Sequence, residues 1–232
     1  MLPGMASSDS VQLDCIETET GPDPRASLIV LHGLGADGND FAPLAGELDL
    51  AGVGPVRFVL PNAPVRPVTI NGGYRMRAWY DILGTETQGI QDEAGLRASL
   101  QLVEELIERE KRRGIPAHRI VLAGFSQGCA MSLLTGLRHR ERLAGIVGMS
   151  GYLPLAETTA AERSEANLQT PLFLAHGQFD NVVVMQRGTH SRDALRALGY
   201  EVEWHEYPMA HSLCMDEVRD LEAFLRKVLS DK

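Results

Sequence analysis

Residues 124 to 128 read Gly124-Phe125-Ser126-Gln127-Gly128, a GxSxG pattern. The apolar run Ile120 to Ala123 before it has strand character, and the Ala-, Leu- and Met-rich residues up to Leu137 have helix character. A serine on a sharp strand-to-helix turn has its hydroxyl lifted above the sheet, and glycines two before and two after remove side chains that would clash there. A serine hydroxyl is a poor nucleophile at neutral pH and needs a base within hydrogen-bond reach, itself oriented by a carboxylate. The expected chain order is Ser, then Asp or Glu, then His, on loops after later strands. Asp180 lies in the loop after the predicted strand 171–175, and His211 in the loop after 201–205. Acyl transfer also needs N–H donors aimed at the developing oxyanion. The amide of Gln127 follows the serine, and the glycine-rich stretch His32-Gly33-Leu34-Gly35 offers the second, assigned to Leu34 with Gly33 and Gly35 as alternatives.

The other histidines divide by position. His205 falls inside a strand, and His118, His139 and His190 sit on or beside helices and are expected to be solvated. His32 and His176 each precede a glycine at a strand end and are expected to bond loop backbone. A metal site from His32, Asp37 and Asp40 lacks any fixed ligand spacing, so no metal is expected. Gly33-Leu34-Gly35-Ala36-Asp37-Gly38 matches GxGxxG, but the next strand ends in Val59-Leu60-Pro61-Asn62 without the acidic residue that binds a ribose, and Pro43 interrupts the helix such a site requires. Nucleotide binding is therefore set aside and no cofactor is expected.

These residues need a scaffold, and the chain alternates short apolar runs with helix-periodic segments, the pattern of βαβ units around a mostly parallel sheet. Strands are predicted at 26–31, 56–60, 119–123, 143–149, 171–175 and 201–205. Helices are predicted at 92–113, from the residues after Gly128 to Leu137, at 187–198 and at 215–229. The first of these carries Leu96, Leu100, Val103 and Ile107 on one stripe, acidic residues at its start, basic residues at its end, and Gly114 as its stop. The stretch 61–89 is too long for a simple connection and reads as a functional loop. Residues 155–170 read as irregular surface.

The 232 residues suffice for one domain with a sizeable core. A single domain over 1–232 is expected, with residues 1–10 flexible. The net charge of −9 disfavours nucleic acid and anionic membranes. No apolar run approaches the roughly 18 residues of a membrane span. The N-terminus lacks a basic region followed by an apolar stretch, so no secretory leader and a cytoplasmic location are expected. Cys15, Cys129 and Cys214 are widely spaced and odd in number, which fits reduced thiols.

Taken together, six ordered blocks resemble the small α/β-hydrolases of the phospholipase/carboxylesterase family, close to the acyl-protein thioesterases. They are 31–35, 61–69, 79–82, 92–95, 124–128 and 211–212, within a span from about 27 to 230. The resemblance implies an α/β-hydrolase fold with helices on both faces of the sheet and no large lid. It implies Ser126 as nucleophile, Asp180 as orienting acid, His211 as general base, and an oxyanion hole from Leu34 and Gln127. It further implies that Tyr74, Trp79 and Leu83 border an acyl groove, and that a homodimer forms. Two departures, Val182-Val183-Val184 after Asp180 and Cys129 where glycine is common, bear on groove shape. A carboxylesterase is the first expectation, an acyl-protein thioesterase or lysophospholipase the second, and a non-catalytic binding module the remote one.

Overall fold

The computed structural model describes residues 12–84 and 90–230. The stretch 1–10 expected to be flexible lies outside these residues. Nine strands are present among the described residues: β1 Cys15–Glu19, β2 Ala26–Leu31, β3 Val56–Pro61, β4 Val65–Val68, β5 Tyr74–Arg77, β6 Ile120–Phe125, β7 Gly145–Met149, β8 Leu172–Gly177 and β9 Val202–Tyr207. The helices are α1 Leu44–Glu47, α2 Glu93–Arg112, α3 Gln127–Gly136, α4 Ala156–Glu162, α5 Met185–Ala197 and α6 Met215–Leu229. Seven strands form one sheet in the order β1-β3-β2-β6-β7-β8-β9, in which β1 is antiparallel to β3 and every other pairing is parallel.

The parallel strands explain their own composition. Helices cover both faces, so β2, β3, β7 and β8 are buried at every position. Alternate side chains serve two cores. Ile29, Leu31, Leu122 and Leu174 meet Leu96, Val103 and Ile107 of α2 and Leu133 and Leu134 of α3. Leu28, Val30, Val121 and Phe173 meet Leu44 of α1 and Val218, Leu221, Phe224 and Leu225 of α6. Each such large side chain contributes about 1.5–3 kcal/mol on burial.

The N-cap of α2 is Asp92, whose carboxylate accepts from the Gly95 amide at 2.9 Å and from the Asp81 amide at 2.8 Å. The helix ends at Gly114 with φ 93°, a conformation that glycine adopts without strain. Its last turn carries the buried carboxylate of Glu110, which pairs with Arg113 at 2.8 Å and with Arg57 of β3 at 3.0 Å, and Arg57 pairs in turn with Glu19 of β1 at 2.8 Å.

Several elements, the short helix α1 among them, depart from the expected pattern. The edge strand β1 was not anticipated, and the stretch 61–89 contains the hairpin β4–β5, turned by Gly72 and Gly73 at positive φ. The stretch 155–170 contains α4 rather than only irregular chain. His139, expected to be solvated, is buried, with Nδ1 2.8 Å from Glu104 of α2. His118 and His190 are exposed as anticipated.

Candidate active site

Parallel strands end at one edge, and the loops leaving that edge carry the candidate residues. Ser126 stands between β6 and α3 with φ 57° and ψ −118°, a conformation that costs a non-glycine residue on the order of 1–3 kcal/mol. The neighbours hold it there. The Ser126 amide donates to Met149 O at 2.9 Å, and a Cβ on Gly124 would stand 2.0 Å from Gly128 O. A Cβ on Gly128 would stand 1.9 Å from Leu31 O, so both glycines of the motif are required by contact.

His211, between β9 and α6, lies with Nε2 3.0 Å from Ser126 Oγ and Nδ1 2.7 Å from Asp180 Oδ2. Its ring packs on Phe125 with centroids 4.8 Å apart. Asp180 is buried in the loop after β8, and its other oxygen accepts from the Val182 and Val183 amides, each at 2.9 Å. A carboxylate on Nδ1 keeps the proton on that nitrogen, so Nε2 presents its lone pair to the serine hydroxyl. The arrangement can remove a proton from Oγ as it attacks a carbonyl.

The loop after β2 approaches from the other side. A Cβ on Gly33 would lie 3.3 Å from Ser126 Cβ, and Gly35, at φ 76°, donates its amide to Arg77 O at 2.8 Å. His32 anchors this loop from within. Its Nε2 accepts from the Ala63 amide at 3.0 Å, so Nδ1 carries the proton and donates to Gly33 O at 2.7 Å. Burial lowers its pKa, and both ring nitrogens are committed, which leaves none for a metal. Gly38 is likewise a packing glycine, since a Cβ there would meet Leu60 O at 2.5 Å, and its amide donates to Asn62. These contacts account for the GxGxxG spacing without a nucleotide. Gln127 heads α3, where a first-turn amide has no partner within the helix. Among the described residues the Leu34 amide also has no protein partner.

Two residues carry more than their sequence positions suggested. The side chain of Gln127 accepts from the Trp79 amide and donates to Tyr80 O, both at 3.0 Å, tying the elbow to the segment after β5. Trp79, expected to border an acyl groove, is instead fully buried, and its indole N–H donates to His32 O at 2.9 Å. It supports the Gly33–Gly35 loop from behind, because a ring of that size fills the space between β2 and α2. Tyr74 and Leu83 are exposed, Tyr74 at 70%. Phe179, Val182 and Val184, which flank Asp180, are exposed too and were not anticipated as a surface. His176 is buried beneath them, with Nε2 2.7 Å from Val183 O and 3.5 Å from Asp180. Cys129, one turn into α3, is buried, and burial pushes its thiol up to about 12, which fits a packing role.

A profile of the phospholipase/carboxylesterase family matches residues 13–229. An acyl-protein thioesterase 1 of Yarrowia lipolytica is 40% identical over 211 residues, 89% of this chain and 93% of that one. One from Mycosarcoma maydis is 42% identical over 229 residues, 92% of this chain and 95% of that one. Among solved structures, SOBER1 of Arabidopsis thaliana superposes with a TM-score of 0.84 at 26% identity, covering 88% of this chain and 99% of that one. With the family profile spanning nearly all of the fold described above, the chain belongs to the phospholipase/carboxylesterase family of α/β-hydrolases and is a serine hydrolase of carboxylic esters.

Proposed function

We propose that this hydrolase cleaves acyl groups from thioester-linked acyl-proteins, using Ser126, His211 and Asp180 as its triad. The observation that carries the triad is the continuous hydrogen-bond line from Ser126 Oγ through the His211 ring to Asp180, at 3.0 and 2.7 Å. The preference for thioesters over simple carboxylic esters, placed second from the sequence, is supported by relatives at 40–42% identity that bear the name acyl-protein thioesterase 1.

In this reading Ser126 Oγ attacks the acyl carbon while His211 Nε2 takes its proton. The oxyanion forms against the Leu34 and Gln127 amides, the C–S bond breaks, and His211 returns the proton to the leaving thiolate. Water then loses a proton to His211 and attacks the acyl-enzyme, releasing the carboxylic acid and restoring the serine. Asp180 holds the tautomer and stabilises the imidazolium. Exposed Tyr74, Leu83, Phe179 and Val182 offer apolar contact for the chain on the acyl side.

The test compares matched acyl thioesters and oxyesters with wild type and Ser126→Ala. The expected result is a higher kcat/KM for the thioester of a long acyl chain, and a fall in kcat of about a thousandfold or more in the variant. Ser126→Ala turning over at the wild-type rate overturns the triad. A clear preference for short oxyesters overturns the substrate assignment and restores the carboxylesterase reading.

A further inference from the structure

His211 is carried by the connection from β9 to α6, whose ends are fixed differently. At the β9 end, Tyr207 OH donates to Asp220 Oδ2 at 2.7 Å, and the Gln178 and Phe179 amides donate to Tyr207 O and Met209 O at 2.8 and 3.0 Å. At the α6 end the N-cap is Cys214, which makes no side-chain capping bond. Three residues later, at the position from which a carboxyl reaches back to cap a helix, stands Glu217. Its side chain is fully buried, and the Cys214 amide lies close enough to favour its charged form, but neither oxygen completes a hydrogen bond among the described residues. A buried polar group left so needs a reason.

The groups that surround it are acids. Asp220 lies on its own helix, and Tyr207 of β9 and Cys129 of α3 are near enough for its charge to raise their pKa values. Burial first, and Asp220 second, push the Glu217 carboxyl up to about 8, against the favourable pull of the Cys214 amide. At neutral pH the group is therefore an uncharged acid, filling the space under the first turn of α6. Above its pKa it becomes a buried anion, and the turn must loosen or take up water to solvate it.

We propose that Glu217 is a positioning residue for the reaction, its buried carboxyl closing the first turn of α6 under Cys214 and so fixing the Ser212–Cys214 span that holds the His211 ring between Phe125 and Ser126. The proposal rests on the reading of His211 as the base. Leu213 and Cys214 pack against the core below the span, and the first helical bond, Val218 amide to Cys214 O at 3.1 Å, starts above it. A change under Cys214 is thus passed along three residues to the imidazole.

The experiment measures kcat, KM and fluorophosphonate labelling of Ser126 from pH 6 to 9.5 for wild type, Glu217→Gln, Glu217→Ala and His211→Ala. Wild type is expected to lose kcat above about pH 8, and Glu217→Gln, neutral and of the same shape, to keep kcat at pH 7 within about twofold and to lack that alkaline fall. Glu217→Ala is expected to lose about tenfold or more in kcat and labelling rate, with KM within about twofold. The proposal is overturned if Glu217→Gln and wild type share one alkaline limb, if Glu217→Ala keeps wild-type kcat, or if its loss lies in KM. Should Glu217→Ala fail to give a cooperative melt, the Glu217→Gln profile decides alone. A His211→Ala variant with wild-type turnover would instead fault the triad, which separates the two failures.

Discussion

Replacing Asp180 with asparagine tests the tautomer argument at its most exposed point. The asparagine amide can sit two ways. With its carbonyl kept where Asp180 accepts from the Val182 and Val183 amides, its NH2 group faces His211 Nδ1. Flipped, the NH2 would face those two N–H groups and leave both donors unpaired, at about 1–3 kcal/mol each. The first orientation therefore wins. An NH2 donor turned on Nδ1 requires that nitrogen to accept, which moves the ring proton to Nε2 and points N–H at Ser126 Oγ. The serine then has no base. Loss of the tautomer costs on the order of 10⁴ in kcat, or about 5.5 kcal/mol of barrier. Steady-state hydrolysis of a p-nitrophenyl acyl ester, with labelling by a fluorophosphonate, reads this directly, and thermal unfolding checks that the fold survives. KM is expected to stay within about threefold, since the change leaves the acyl surface intact. A folded Asp180→Asn that loses less than tenfold in kcat would show that His211 does not depend on Asp180 for its tautomer.

Other outcomes follow from the same geometry. Gln127→Glu sets an anionic oxygen against Tyr80 O in a buried site, and should cost about 1–3 kcal/mol, read as several degrees in a thermal melt, together with a lower kcat. Gly128→Ala places a methyl 1.9 Å from Leu31 O and should abolish the cooperative melt or lower its midpoint by 10 °C or so, unlike an alanine at the open Gly52. Glu217 also makes stability depend on pH. Its folded pKa of about 8 lies above the ordinary value of 4.5, so the folded state holds the proton more tightly. The stability this contributes is full below pH 4.5 and is lost as pH rises to about 8, by up to about 5 kcal/mol over the interval. Glu217→Gln should accordingly melt higher than wild type at pH 8 by more than it does at pH 5, and an equal offset at both would contradict the burial argument.

What could be read ahead of the structure was what local pattern determines. Strands buried on both faces announce themselves as continuous apolar runs, and 26–31 was anticipated to the residue. Ser126 and Asp180 stand out as candidates because each follows such a run, and His211 because it follows the more polar β9 in the expected chain order. Elements that exist only through their partners do not. The β1 residues Cys15-Ile16-Glu17-Thr18-Glu19 gain strand structure from antiparallel pairing with β3, and the β4–β5 hairpin is held by its own cross-strand pairs within a segment rich in Gly and Pro. His139 looks solvated until Glu104, 35 residues away, is brought beside it. Trp79 has the composition of a groove residue, but the indole is committed to His32, 47 positions back along the chain. Glu217 carries only a weak local sign, because an acidic residue in the first turn of a helix is commonplace and nothing in the sequence around it foretells its burial.

The contributors to the site are also far apart in the chain. Ser126 and His211 are separated by 85 positions and His211 and Asp180 by 31, while the Gly33–Gly35 loop meets the serine only because Leu31 pairs with Gly124 across β2 and β6. Closing loops of that length costs entropy before any contact repays it, so these pairings belong to the slow part of assembly. Catalysis is thus a reporter of the finished topology. During refolding, helical signal should return before turnover does, and a population with β9 and α6 still undocked would have its secondary structure largely in place and no hydrolytic activity.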